Sequence, residues 1–193
     1  MYGTGKPSNF QDYSNTVVDE NLSAVETELD PAKQAELLAV DIRRLLERLT
    51  GTWMERAVQH KLTLNVHIDP RLPEKLLTDP LRLEQILVNL LQNALDASEG
   101  LPVRQVQLST VWNPQSRRVR LVVRDSGTGF PEAILKRAFE PYVTTKARGT
   151  GLGLAVVKKI ADDHGARIDL KNIENDGQVV GAQVSLSFQA ADT

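Results

Sequence analysis

Three glycines in five positions stand directly before a predicted helix, and this feature most restricts what the chain can fold into. Gly149, Gly151 and Gly153 lie in "RGTGLGLAVVKKI", residues 148–160. Each glycine costs about 1 kcal/mol of conformational entropy relative to alanine, so something here requires bare backbone. A helix N-terminus presents unpaired N–H groups and the positive end of the helix dipole. The stretch therefore favours an anion site, and a flexible surface loop is the simpler alternative.

The loop before these glycines adds hydroxyl groups and positive charge, from Thr144, Thr145, Lys146 and Arg148. It does not match the known phosphate loops of other folds. No G-K-[ST] follows the glycines, and the strand and G-x-G-x-x-G spacing of dinucleotide-binding folds are missing. The alternative is a set of solvated surface cations.

Composition limits the classes of function. The 193 residues are 41% hydrophobic and 25% charged, as expected for a globular domain with an extension. A net charge of −2 gives no footprint for nucleic acid or an anionic membrane surface, so we expect neither as a partner of this segment. The chain has no cysteine, which excludes disulfides and thiolate metal sites. No signal-peptide pattern or bilayer-length apolar run occurs, and we expect a cytoplasmic segment.

Hydrophobic periodicity predicts helices that alternate with strands. Residues 1–32 are polar and predict a linker or a residual helical segment, and the domain proper spans 33–193. The predicted helices are 33–60, with a possible interruption at Gly51, then 80–100, 131–139 and 152–164; the predicted strands are 61–69, 103–112, 117–126, 166–173 and 182–188. This order predicts an α+β fold, a two-layer α/β sandwich with helices on one face of a mixed, mostly antiparallel sheet.

The helix that follows Asp79-Pro80 carries a polar stripe. At about 100° per residue, five polar side chains fall within a narrow arc: Arg82, Gln85, Asn89, Asn93 and Asp96. A solvated helix face is the ordinary interpretation. Surface stripes are usually built from Lys and Glu, whereas asparagine is a poor helix former. An amide oxygen is a hard ligand that suits Mg²⁺, which takes phosphate oxygens as further ligands.

The segment "VVRDSGTGF" ends a predicted strand with Asp125, Gly127 and Gly129. A tight turn capped by an aspartate explains this pattern without any function. In a functional interpretation, Asp125 accepts a hydrogen bond from an exocyclic amine while the glycines let the chain pass beside a flat ring. A carboxylate would favour adenine over guanine, which presents a carbonyl group at that position.

Four segments together resemble a known family. "LRLEQILVNLLQNALDAS", "RDSGTGF", "AFEPYVTTK" and "GTGLGLAVVKKIADDHGA" are similar to the N, G1, F and G2 boxes of the catalytic and ATP-binding domain of bacterial sensor histidine kinases, in the expected order. "FEPYVTTKARGTGLGL" especially resembles kinases of the nitrogen-regulation type. The resemblance covers about residues 34–189. It implies the Bergerat fold shared with gyrase, heat-shock chaperone and mismatch-repair ATPases.

The resemblance also implies a site for ATP and Mg²⁺. Asn93 would hold the metal with Asn89 beside it, Asp125 would bind the adenine amine, and residues 139–149 would form the ATP lid. The catalytic positions implied are Asn89, Asn93 and Lys146. The full set of implied nucleotide contacts is Asn89, Asn93, Asp96, Asp125, Gly127, Gly129, Phe139, Thr144, Thr145, Lys146, Arg148, Gly149, Thr150, Gly151, Leu152, Gly153 and Leu154.

One departure from the superfamily concerns hydrolysis. Members that hydrolyse ATP carry a glutamate four residues before the metal asparagine, where this chain has Asn89. An amide cannot accept a proton from water, and Glu84 lies on a different arc of the helix. The site is therefore expected to position the γ-phosphate for another nucleophile, since phosphoryl transfer depends mostly on positioning and charge neutralisation.

A second departure is the missing acceptor. The chain has three histidines, His60, His67 and His164, and none lies in the H-E-x-x-[NT]-P context of a phosphoacceptor helix, so each is expected to be structural. We therefore expect transfer of the γ-phosphoryl group to a histidine on a separate dimerisation domain, with a response regulator downstream in two-component signalling. The parent protein could be an inner-membrane sensor.

Three other functions stay open at this point. One is a hydrolysing gyrase- or chaperone-type ATPase, which Asn89 and the lack of a following transducer domain disfavour. Another is a non-catalytic nucleotide sensor, which the intact glycines and Asn93 disfavour. The third is a serine kinase that acts on an anti-sigma antagonist, and the long helix before the first strand disfavours it.

Overall fold

Helices and strands alternate in the computed structural model, which describes residues 39–146 and 149–191. The helices are α1 (Ile42–Gln59), α2 (Pro80–Ala97), α3 (Glu132–Leu135) and α4 (Gly153–Asp163). The strands are β1 (Ala39–Asp41), β2 (Thr63–His67), β3 (Lys75–Leu77), β4 (Gln105–Asn113), β5 (Arg118–Asp125), β6 (Arg167–Asn175) and β7 (Gln178–Gln189).

Five strands form the main sheet, in the order β2-β4-β5-β7-β6. β2 and β4 are parallel, and every other neighbouring pair in this sheet is antiparallel. A parallel pair needs a long crossover connection, and here the segment that contains α2 supplies it. The mixed sheet with helices packed against it confirms the predicted two-layer α+β fold.

The core lies between the helices and the sheet. It is built from apolar residues at helical spacing in α1, α2 and α4 and at alternate positions of β4, β5 and β7. Its fully buried members include Leu46, Leu87, Val157, Leu121 and Phe188. Helix α2 packs against α1, α4, β4 and β5. The central position of α2 holds its polar stripe rigidly beside the start of α4.

The start of α2 follows the predicted capping pattern. The Asp79 carboxylate accepts hydrogen bonds from the N–H groups of Leu81 (2.7 Å) and Arg82 (3.2 Å), and Pro80 occupies the first turn. The helix ends at Ala97, and the Ser98 hydroxyl at the C-cap donates to the Ala94 carbonyl (2.9 Å). This cap fixes the register of the polar stripe relative to the core.

The first helix differs from the prediction at its start and at Gly51. It begins at Ile42, where the Asp41 side chain accepts from the Arg44 N–H (3.0 Å) as N-cap. The preceding residues form β1, which pairs antiparallel with β3 in a small second sheet. Gly51 does not interrupt the helix; it lies on the solvent-exposed face, where a β-carbon would meet no atom within 4 Å.

The sequence analysis did not predict β1 and β3, which have three residues each and no alternating pattern of their own. The predicted segment 1–32, and the part of the predicted domain before residue 39, lie outside the described residues. Among the helices that the structure describes, none combines the length and apolar character needed to cross a bilayer.

Candidate nucleotide site

A cleft of about 580 Å³ opens between α2, the end of β5, the middle of β7, the start of α4 and the loops on either side of α3. Thirteen of the residues that the sequence predicted for a nucleotide site line it. They are Asn89, Asn93, Asp96, Asp125, Gly129, Thr144, Thr145, Lys146, Gly149, Thr150, Gly151, Gly153 and Leu154. Residues 60 positions apart in the chain therefore meet in one concave surface, as a ligand site requires.

The polar stripe of α2 forms one wall of the cleft. Asn89 and Asn93 are half-buried, and the Asn89 amide nitrogen donates to the Gln85 carbonyl (3.0 Å). That bond uses one of the two Asn89 N–H donors within its own helix. A β-carbon at Gly153 would lie 3.6 Å from the Asn89 Oδ1 and 3.3 Å from the Asn93 Nδ2. Gly153 thus lets the start of α4 approach both asparagines closely.

Lys146 reaches into the cleft and contacts the same wall. Its Nζ donates to the Asn93 Oδ1 (2.9 Å) and to the Asp96 Oδ2 (2.6 Å). The Gln92 Nε2 donates to the other carboxylate oxygen of Asp96 (2.6 Å). The Asn93 Oδ1, which the sequence predicts as a metal ligand, therefore accepts a hydrogen bond from a cationic side chain in this structure.

Asp125 stands at the opposite end of the cleft, at the last position of β5. Its Oδ1 accepts from the N–H groups of Gly127 (2.8 Å) and Ala182 (3.2 Å), and no described residue donates to its Oδ2. Burial raises the pKa of the Asp125 carboxyl above its ordinary value, although the two N–H donors and the charge of Lys146 act in the other direction. The geometry leaves one carboxylate oxygen to accept from a ligand.

Two glycines and an asparagine shape the loop after Asp125. A β-carbon at Gly127 would lie 2.7 Å from the Asp125 Oδ1 and 2.8 Å from the Ala97 carbonyl oxygen, so the loop can pass only as bare backbone. Asn172 on β6 clamps the loop further along: it accepts from the Phe130 N–H (2.8 Å) and donates to the Phe130 carbonyl (2.9 Å). Sequence reasoning missed Asn172, because nothing local marks a residue that acts across two strands.

The start of α4 combines a left-handed glycine with a helix mouth that no side chain caps. Gly151 has φ +69°, and a β-carbon there would lie 2.7 Å from the Tyr142 Cα. The Tyr142 N–H donates to the Gly151 carbonyl (3.0 Å), which joins the two ends of the loop between them. Leu152 is the N-cap and makes no side-chain cap hydrogen bond. The first-turn N–H groups of α4 therefore stay available to an anion.

Four members of the predicted set are not on the cleft surface described. Gly127 lies behind Asp125 and donates to it, and Leu152 begins α4 with its backbone while its side chain is 37% exposed. Ala138 lines the cleft in place of its neighbour Phe139. Arg148 lies outside the described residues. The sequence analysis did not assign the apolar lining residues, which include Val123, Ile134, Ala138, Val143 and Val184.

Glu84 and the histidines lie where the sequence analysis expects them. The Glu84 carboxylate forms an ion pair with Arg48 on α1 (2.7 Å), so it faces away from the cleft. The His164 Nδ1 donates to the Ile160 carbonyl (2.8 Å) at the end of α4, and His60 terminates α1. None of the three histidines lines the cleft that the described residues form.

The residues fit a magnesium–nucleotide complex. Among the described residues, no cluster of three or more acidic or histidine side chains could hold a metal by itself. Mg²⁺ commonly takes one or two protein oxygens and fills its shell with phosphate oxygens and water. The Asn93 Oδ1 offers such an oxygen beside the uncapped start of α4, and Asp125 offers a carboxylate at the far end.

Comparison with known proteins matches this geometry. Residues 78–191, more than half of the chain, match the family model described as histidine kinase-, DNA gyrase B-, and HSP90-like ATPase. The fold and the cleft define the ATP-binding domain class of that family. The chain belongs to the histidine kinase-, DNA gyrase B- and HSP90-like ATPase family, and the predicted resemblance to its histidine kinase branch is confirmed.

Curated relatives are sensor histidine kinases. The chain is 37% identical over 166 residues to the sensor histidine kinase ZraS of Escherichia coli O157:H7, which covers 86% of this chain and 34% of that protein. It is 35% identical over 108 residues to a putative sensor histidine kinase NtrY-like of Rickettsia bellii, 56% of this chain and 17% of the relative. The chain thus spans about a third or less of the length of these relatives.

Solved structures share the fold. Full-length ShkA in complex with AMPPNP aligns with a TM-score of 0.68 and 29% identity, over 80% of this chain and 31% of that one. The catalytic domain of the histidine kinase ThkA aligns with a TM-score of 0.66 and 27% identity, over 79% of this chain and 94% of that one. These likenesses confirm the predicted Bergerat-type α+β domain.

Proposed function

We propose that this chain binds Mg-ATP in the cleft and transfers the γ-phosphoryl group to a histidine on a separate dimerisation and phosphoacceptor domain, as one step of two-component signal transduction. One observation carries the proposal: a carboxylate, an amide oxygen and an uncapped helix start face one another in a single cleft, at Asp125, Asn93 and Gly153. The AMPPNP complex of full-length ShkA, a protein of the same fold, supports a nucleotide as the ligand.

The base end of the cleft accounts for adenine selection. Because both backbone donors end on the Oδ1 of Asp125, its Oδ2 is left to accept from the exocyclic amine of adenine. Guanine presents a carbonyl oxygen at that position and would face a carboxylate, which costs both groups their hydrogen bonds. The apolar lining residues Val123, Val143 and Val184 give the flat ring its contacts.

The phosphate end of the cleft accounts for the chemistry. When bound, Mg²⁺ would neutralise phosphate charge, with the Asn93 Oδ1 as its protein ligand. The N–H groups at the start of α4 and the Lys146 ammonium would orient the γ-phosphate. In the transfer step, a lone pair of the acceptor imidazole forms a bond to the γ-phosphorus while the bond to the β–γ bridging oxygen breaks. ADP leaves with that electron pair, and the imidazole proton passes to solvent.

Asn89 favours transfer over hydrolysis. Its amide nitrogen is committed to the Gln85 carbonyl, so the side chain offers the cleft an oxygen of negligible basicity. Glu84, the nearest carboxylate upstream on α2, is paired with Arg48. Neither position 89 nor Glu84 therefore supplies a carboxylate placed to remove a proton from an attacking water.

The test is phosphoryl transfer in trans. The chain is incubated with γ-labelled ATP, Mg²⁺ and the phosphoacceptor domain of a sensor histidine kinase such as ZraS, and then with its response regulator. We expect label on the acceptor histidine that is labile to acid and stable to base, and its passage to the regulator. Rapid release of labelled inorganic phosphate by the chain alone, abolished by Asn89→Ala, would instead identify a hydrolase.

A further inference from the structure

The contact between Lys146 and α2 has no role in the scheme above. The Lys146 ammonium lies 2.9 Å from the Asn93 Oδ1 and 2.6 Å from the Asp96 Oδ2, and both members of the ion pair are about two-thirds buried, with exposures of 36% and 33%. The lysine belongs to the segment that follows α3, described up to Lys146, while its partners belong to α2. The ion pair therefore ties this segment to the wall of the cleft.

The ammonium occupies the oxygen that a metal would need. A lysine ammonium is a compact cation with three donors, so it satisfies an amide oxygen much as a hydrated metal ion does. Two cations on one amide oxygen repel each other strongly in a partly desolvated cleft. A metal bound at the Asn93 Oδ1 and the lysine in its present position therefore exclude each other.

Asp96 holds the lysine in that position. Without the carboxylate, the ammonium would have only a neutral amide as its partner. The carboxylate is itself oriented, because the Gln92 Nε2 donates to its Oδ1 (2.6 Å) and leaves the Oδ2 to Lys146. Gln92, Asp96, Lys146 and Asn93 thus form one continuous hydrogen-bonded chain across the cleft wall.

We propose that Asp96 is a positioning residue for Lys146, and that the Lys146 ammonium holds the cation position at Asn93 until a metal–nucleotide complex displaces it. The proposal rests on the proposed function for the identity of the displacing ligand. It does not rest on it for the hydrogen-bonded contact of Lys146 with Asp96 and Asn93, here called the latch, which is made by this chain's own residues. The displaced lysine is then free to neutralise phosphate charge, and Asp96 stays behind as the group to which it returns.

The exchange of the Lys146 ammonium for Mg²⁺ predicts how substitutions of Lys146 and Asp96 change the metal dependence of ATP binding. In the absence of metal, Lys146 is the cation next to the ATP phosphates. Lys146→Met removes this cation and leaves the Asp96 carboxylate without an ion-pair partner, so the carboxylate repels the phosphates. With Mg²⁺ present, the metal compensates. The ratio of the ATP Kd in EDTA to that in Mg²⁺ should therefore rise about fivefold in Lys146→Met. It should fall in Asp96→Asn, and it should return toward the wild-type ratio in the double variant.

The experiment measures the ATP Kd by calorimetry with Mg²⁺ and with EDTA, for wild type, both single variants and the double variant. Asp162→Asn is the matched control, because it removes one carboxylate from the exposed Lys158–Asp162 ion pair on α4. A merely structural role for Asp96 would change both Kd values by the same factor and leave their ratio unmoved. Ratios within twofold of wild type in both single variants would overturn the proposal.

A second measurement needs no nucleotide. In the nucleotide-free chain, Asp96→Asn should accelerate amide hydrogen exchange at residues 143–146 by about threefold or more, while Asp162→Asn leaves it unchanged. Unaltered exchange in Asp96→Asn would overturn the latch even if ATP binds as proposed. Accelerated exchange in a chain that binds no ATP would support the latch and refute the proposed function instead.

Discussion

Asp125 shows how a single carboxylate can be preset for one ligand. Two backbone N–H groups donate to the same oxygen, and a β-carbon at Gly181 on β7 would collide with the Asp125 carbonyl oxygen. The side chain therefore has little freedom to turn. Its orientation is fixed by the sheet and not by the ligand.

Asp125→Asn should invert the base preference of the cleft. The two N–H donors fix the asparagine carbonyl at the Oδ1 position, so its NH₂ group takes the Oδ2 position and faces the amine of adenine. Two donors then oppose each other, and we expect the ATP affinity to fall about 30-fold or more. ITP, which carries a carbonyl oxygen at the same ring position, should lose less or gain. Competition binding with the two nucleotides measures both effects, and equal losses would contradict this account.

The free energy of unfolding of Asp125→Asn shows whether a loss of ATP affinity reflects a loss of folding. The pKa of Asp125 is raised in the folded chain, so the folded state binds the proton more tightly than the unfolded state. The free energy of unfolding then decreases as pH rises from the ordinary aspartate value, about 3.9, through the folded pKa, so wild type carries this cost at pH 7. Asp125→Asn removes the charge, so its free energy of unfolding at pH 7 should not be below that of wild type. A lower value would mean that lost affinity reflects lost folding.

At the scale of elements, capping and turn chemistry could be predicted better than short strands. Asp79-Pro80 predicted the start of α2, and the glycines after residue 148 predicted the start of α4, because each signal is local. β1 and β3 escaped prediction because three-residue strands have no period to detect. The pattern at Leu45, Leu46 and Leu49 predicts a helix that begins at residue 33. In the structure, Ala39–Asp41 pair with β3 instead.

Gly151→Ala tests the junction between the lid and α4. Alanine at a left-handed position costs about 1–2 kcal/mol, and at Gly151 it would also press on the Tyr142 main chain, 2.7 Å from its Cα. Gly165→Ala is the matched control, because Gly165 has φ +60° with nothing within 4 Å. Both variants should lose stability to thermal unfolding, and Gly151→Ala should lose more because of its additional contact with Tyr142. ATP affinity should fall about tenfold in Gly151→Ala and stay unchanged in Gly165→Ala.

Asp69 ties the segment after β2 to β4 and predicts an acid-sensitive element. Hydrogen bonds from the Arg71 side chain, and from the Trp112 N–H to its Oδ2 (3.0 Å), hold the pKa of this carboxyl well below its ordinary value. A lowered pKa stabilises the fold above the ordinary aspartate value, and that contribution is lost as pH falls below about 4.

Asp69→Asn should therefore reduce the decrease in the free energy of unfolding that acidification causes. We expect the variant to be less stable than wild type in urea at pH 7, with a smaller further loss on going to pH 3. Asp41→Asn serves as a comparison, since Asp41 caps α1 from an exposed position. An identical loss between pH 7 and pH 3 in wild type and Asp69→Asn would contradict the assigned role.

At the scale of the whole molecule, the polar half of the site could be predicted and the apolar half could not. Polar residues such as Asn93 and Asp125 lie in motifs whose order indicates a common cleft, and the structure brings them together. The apolar lining, Ile134 and Val143 for example, looks like ordinary core in the sequence. The Asn172 clamp and the Lys146–Asp96 pair depend on contacts across the fold, which no local pattern encodes.

Asn89→Glu tests the division between transfer and hydrolysis in the intact chain. A carboxylate at this position would lie beside Asn93 in the cleft and could accept a proton from water, so ATP hydrolysis at saturating Mg-ATP should rise about tenfold or more. Gln85→Glu adds the same charge one turn earlier on α2, outside the cleft lining, and should leave hydrolysis at the wild-type rate. Phosphate release measures both. An unchanged rate in Asn89→Glu would show that Asn89 does not decide the fate of the γ-phosphate.

The hydrogen bond from the Tyr142 N–H to the Gly151 carbonyl has a consequence for how such chains can diverge. It brings Tyr142 and Gly151 together, so the number of residues between them can change without moving the sheet or α4. Doubling a flexible loop costs only about 0.6 kcal/mol of closure entropy, so insertions and deletions there are cheap so long as the two anchor residues still meet. Natural variants of this domain can therefore change the length of the segment between Tyr142 and Gly151 while Asp125 and the start of α4 keep their places.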